Sequence, residues 1–176
     1  MSQEKYDDED DEFLQSAREV PNEFKIALAD LIINFGRIEV ALDRLVWWAA
    51  DLANPRIGRI LTGRLDIRPK CEIVVALLGD LYDEEPLTKF KPIASKIESV
   101  TRFRNNVIHG SWIVIGDLAV SMSARPKGFM SGSIEGTPFE LNQLIQCAHE
   151  AKEIEESLRS LLRQTPPSPS RNKFAC

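Results

Sequence analysis

The sequence predicts a mainly α-helical fold, an antiparallel helical bundle with a small β-hairpin inserted before its last long helix. Three observations predict it. Apolar residues recur every three or four positions over long stretches, that period is lost only once, after residue 111, and turn residues stand at each change.

The first helix is the longest. Phe24, Leu28, Leu31, Phe35, Ile38, Leu42, Leu45, Ala49 and Leu52 step by four and three, between Pro21-Asn22 and Asn54-Pro55. Gly36 in its middle costs about 1 kcal/mol against Ala and points to a close helix approach. A short helix follows over 55–62 and another over 69–82, whose apolar face is Ile73, Val74, Leu77, Leu78 and Leu81. Pro86 then reads as the first residue of a helix with the stripe Phe90, Ile93, Ile97, Val100, Arg104, Val107, and Gly110 suits the position just past its end.

The period now changes. Trp112–Ile115, Gly116-Asp117 and Leu118–Ser123 read as a hairpin with a tight turn, and 128–134 as a third short strand. Thr137, Pro138 and Glu140 form a capping box for the last helix, with the stripe Leu144, Cys147, Ala151, Ile154, Leu158, Leu161. The organisation is an acidic disordered tail over 1–12, a helical domain over 13–163, and a Pro/Ser-rich disordered tail over 164–176.

Composition narrows the function classes. The 176 residues carry a net charge of −5, but residues 1–12 hold seven acids against one lysine, and the remainder twenty acids against twenty-one bases. The acidity belongs to the tail, so it does not exclude a nucleic-acid partner for the body. Apolar runs cut by Asp30, Arg37, Glu39 and Asp43 exclude membrane insertion, and the acidic start predicts no signal peptide. Three widely spaced cysteines (Cys71, Cys147, Cys176) make a disulfide framework or zinc site a poor fit and favour a reducing cytoplasm. No metal-spaced cluster appears, and no cofactor is expected.

Arg104 is the informative residue, because every other member of its stripe is apolar. A buried guanidinium needs an acid, a polar cleft or a helix that has bent into solvent. Glu39, in the row Ile32, Glu39, Val46 beside the first helix's stripe, is a candidate supporting acid; the other reading is a solvated edge position. Asn105-Asn106 is an uncommon polar pair for a helix interior. His109 shares a face with Arg102 and Asn106, whereas Arg104 leaves a continuous helix about 140° away from it. Two basic runs stand out as solvated faces: Arg56, Arg59, Arg64, Arg68 and Lys70 against Asp66, and Lys89, Lys91, Lys96, Arg102 and Arg104 against Glu98. The second surrounds Arg104. Trp47-Trp48 and Trp112 read as packing residues, and His149 as a solvated one.

The run RNNVIHG, Arg104 to Gly110, resembles the signature of HEPN domains (higher eukaryotes and prokaryotes nucleotide-binding): Arg, a polar residue, then His after a gap of four to six. Here the gap is four and the polar residue is Asn105. The resemblance covers roughly residues 20–163. It implies a metal-independent endoribonuclease of toxin or phage-defence type, working as a homodimer with one composite cleft. Arg104 would hold the scissile phosphate, His109 would move protons and Asn105 would position the phosphate, with Arg102, Asn106 and Lys96 binding RNA around them. An antitoxin or regulatory protein is a further implied partner. Ser111 stands where one antitoxin-paired branch carries a modified Tyr, which departs from that branch. The rival readings are a catalytically silent nucleotide- or protein-binding HEPN module and a helical oligomerisation protein.

Overall fold

The computed structural model describes residues 20–109, 111–115, 118–126 and 132–164. The expectations for residues 1–12 and 165–176, Gly110 and the turn Gly116-Asp117 fall outside the described residues, while Gln164, expected to begin the C-terminal tail, is the last residue of a helix.

Helix α1 (Asn22–Ala49) turns Phe24, Leu31, Phe35, Ile38, Leu42 and Leu45 into the core. It stops short of Leu52. Asp51 adopts a left-handed φ of 51°, so that its N–H reaches Trp48 O at 3.1 Å and the Leu52 N–H reaches Trp47 O at 2.8 Å. That is a Schellman end, built with Asp in the place glycine usually takes. Helix α2 (Pro55–Thr62) is capped by Asn54, whose side chain accepts from the Arg56 N–H at 2.9 Å. It lies flat on Trp47: the indole N–H donates to Thr62 Oγ1 at 3.1 Å, and a Cβ at Gly58 would stand 2.7 Å from the ring.

Helix α3 (Ile67–Leu81) buries Val74 and Leu78. It also buries Lys70, which corrects the expectation of a solvated basic run at this position. Lys70 Nζ pairs with Asp43 Oδ1 at 2.8 Å across to α1. Helix α4 (Glu84–Ile108) begins two residues before Pro86, which is therefore the third helical residue and not the first. Its missing N–H still costs nothing there, because the first-turn donors have no helical partner. Phe90, Ile97, Val100 and Val107 are buried as the stripe requires.

Strands β1 (Ser111–Ile115), β2 (Leu118–Pro126) and β3 (Gly132–Phe139) form an antiparallel sheet in that order, with Ile115 opposite Leu118 and Ala119 opposite Phe139. The third strand thus runs five residues past its expected end and absorbs Thr137 and Pro138, so the expected capping box does not form. Helix α5 (Leu141–Gln164) starts later and is capped from the other direction, the Glu140 N–H donating to Gln143 Oε1 at 3.1 Å. All six residues of its expected stripe are buried.

The fold is a mainly α-helical bundle. Helices α1 and α5 make its most extensive packing pair. They run in the same direction, since Asn34 Nδ2 donates to Ala148 O at 3.2 Å while Arg44 and Arg159 line one cleft further along. Helix α4 returns along α1, with Tyr82 beside Trp48 before its start and Arg104 over Phe35 near its end. Among the described residues Gly36 has nothing within 4 Å of where a Cβ would stand, so the expected close helix approach is not found there. No helix among the described residues is long and apolar enough to cross a membrane.

Candidate functional site

The last two turns of α4 carry the residues singled out from the sequence. Their stripe position aims Arg104 at α1, where an aromatic face receives it: the guanidinium carbon stands 5.0 Å from the centroid of the Phe35 ring. A cation over an aromatic face is stabilised by the ring quadrupole, by about 0.5–2 kcal/mol depending on desolvation. Arg104 Nη1 donates to Asn105 Oδ1 at 3.0 Å, and the buried Nε has no hydrogen-bond partner among the described residues. Glu39 is exposed one turn beyond Phe35 and forms no ion pair with Arg104 among the described residues.

Asn105 works in two directions. Its side chain takes Arg104 Nη1, and its carbonyl accepts the His109 N–H at 3.3 Å. His109 is the C-cap, with φ −88° and ψ 4°, and it is exposed. Because α4 stays helical through Ile108, the Arg104 and His109 side chains leave it on different sides. Arg102 is exposed and pairs with Glu98 at 3.4 Å; Asn106 and Lys96 are exposed on the same helix.

The helix end is fixed from outside. Trp112 Nε1–H donates to Val107 O at 2.8 Å, and the Trp112 and Phe103 rings lie 5.9 Å and 5.3 Å from that of Phe139. The sheet therefore holds the turn that presents His109.

Sequence reasoning missed a groove of about 810 Å³ between α3 and α4. Ile67, Cys71, Val75, Ala94 and Ile97 line it, Arg68, Glu72, Glu98 and Arg102 edge it, and Asn105 stands at the same wall. The small residues Cys71, Ala76, Ala94 and Ser95 on facing helices were its only signal. Burial, then Glu72, pushes the Cys71 thiol up to about 11, and burial, then Glu150, pushes Cys147 up to about 12. Both stay protonated at neutral pH and neither is poised as a nucleophile. Among the described residues no group of His, Cys, Asp or Glu could hold a metal ion.

No family model, curated protein or solved structure matches the chain. The chemistry of the site rests on its own residues: a fixed guanidinium, an amide beside it and an exposed imidazole one turn on. That set can grip a phosphate and move a proton.

Proposed function

We propose that the chain is a HEPN-like, metal-independent endoribonuclease, working as a homodimer in which two α4 ends build one cleft. Arg104 grips the scissile phosphate and Asn105 orients it. The ribose 2′-oxygen forms its bond to phosphorus as the bond to the 5′-oxygen breaks. The 2′-hydroxyl proton passes to one imidazole and the leaving 5′-oxygen takes a proton from another, giving a 2′,3′-cyclic phosphate and a 5′-hydroxyl. Arg102, Asn106 and Lys96 contact neighbouring phosphates. The divergence of Arg104 and His109 within one chain suits a cleft in which each Arg works with the opposite His.

The observation that carries this reading is the placement of Arg104, Asn105 and His109 at the end of one helix, with Arg104 Nη1 held on Asn105 Oδ1 and His109 exposed at the C-cap. Purified protein is expected to cut RNA in EDTA to cyclic-phosphate ends, and His109→Ala to abolish cutting with helix content unchanged. Identical RNA patterns from both proteins remove the reading. The groove beside Asn105 favours a second one, the silent nucleotide-binding module. Saturable mononucleotide binding without turnover would decide for it.

A further inference from the structure

Helix α1 is apolar on two opposite faces. The inner one, along Leu31, Ile38 and Leu45, is buried. Directly opposite, Ile26, Ile33 and Val40 repeat every seventh residue and are 63%, 53% and 51% exposed, and Ala29 and Gly36 follow at the three-residue steps between them. A contiguous apolar stripe left in water marks an interaction surface. Trp47, next in the same row, shows what covering looks like: α2 lies on it through Gly58. Helix α2 in turn leaves Ile57, Ile60 and Leu61 exposed, Ile60 at 77%. Ile33, Gly36 and Val40 also edge a cleft of about 250 Å³ between α1 and α5. A mid-helix glycine weakens its helix, and nothing among the described residues stands where its side chain would be.

We propose that this face is covered by the same face of a second copy of the chain, with the two α1 helices antiparallel. Spacing and charge select that occupant and that direction. Run antiparallel about a two-fold axis near residues 34 and 35, Ile33 enters the dent at the partner subunit's Gly36, and Val40 meets the partner subunit's Ala29. Large residues fill small ones, and symmetry makes each contact twice. The same register sets Asp30 against the partner subunit's Arg37, an opposite-charge pair also made twice; both residues are exposed in the single chain. Parallel pairing would stack isoleucine on isoleucine, leave glycine facing glycine, and bring both copies of α2 to one end. In the antiparallel pair they lie at opposite ends, beside the partner subunit's Ile26. This face points away from Phe35 and Arg104, so the interface is separate from the α4 cleft and does not rest on the ribonuclease reading.

Sedimentation of the full chain tests it. Ile33→Glu is expected to halve the mass while helix content and Tm stay near wild type, because Ile33 is exposed. Asp30→Arg weakens association, and the double exchange D30R/R37D restores it. Gly36→Leu acts in opposite senses: it raises the Tm of the dissociated chain, where its side chain has room, and weakens association at least tenfold. In a C176S background, chains carrying Ala29→Cys and Val40→Cys cross-link when mixed and neither links to itself. A wild-type monomer at every concentration, an unchanged mass for I33E, or self-linking A29C chains would each overturn the proposal.

Discussion

The guanidinium carbon of Arg104 stands 5.0 Å from the centre of the Phe35 ring, so the cation that breaks the α4 stripe is seated on an aromatic face rather than against a carboxylate. Phe35→Leu keeps an apolar side chain and removes the ring. It should cost about 1–2 kcal/mol in urea unfolding, and a double-mutant cycle with Arg104→Met should return a coupling of about 0.5–2 kcal/mol. A coupling of zero would mean that the two groups are neighbours without attraction.

Trp112 ties the sheet to the helix that ends in His109. Trp112→Phe keeps a ring but leaves Val107 O without its donor, at a cost of about 1 kcal/mol. Amide exchange should quicken at residues 105–109 and stay unchanged in α1 and α5.

The ion pair between Lys70 and Asp43 has side chains only 8% and 22% exposed. Lys70→Met alone strands a carboxylate against the core and should cost about 3 kcal/mol. The double change K70M/D43L should fall within about 1 kcal/mol of wild type. Chemical denaturation of the three proteins checks both statements.

Cys71 and Cys147 titrate above their ordinary value near 9, at about 11 and about 12, chiefly because burial disfavours the thiolate. The folded state then holds protons that the unfolded state releases. The stability they contribute is complete below about pH 9 and declines as pH rises towards 11–12. A Cys71→Ala/Cys147→Ala chain should lose less stability between pH 8.5 and 10.5, as read by urea midpoints.

The helices were legible because each carries its own evidence along the chain. All six residues of the α5 stripe and four of the six on α4 are buried, and the Pro55–Thr62 helix has its signals within nine residues. The start of α5 was misread for a long-range reason. Thr137, Pro138 and Glu140 satisfy every local rule for a cap, but Phe139 packs on Phe103 and Trp112 and pairs with Ala119, which draws the segment into a strand. Lys70 reads as one member of a solvated basic run because its partner lies 27 positions earlier. Arg104 announced itself by breaking a stripe, whereas Phe35 looked like any other core residue. The groove between α3 and α4 depends on how two helices splay, which no single stripe encodes.

The contact from Asn34 to Ala148 spans 114 positions, and it joins the first described helix to the last. At roughly 5–20 residues per second of synthesis, α1 therefore waits about 6–23 s at the ribosome before its main packing partner exists. During that interval the part of the α1 surface that α5 covers is as bare as its outer face. A nascent chain halted before residue 148 is then expected to be a strong chaperone substrate, and moving α5 by circular permutation to precede α1 would shorten its wait.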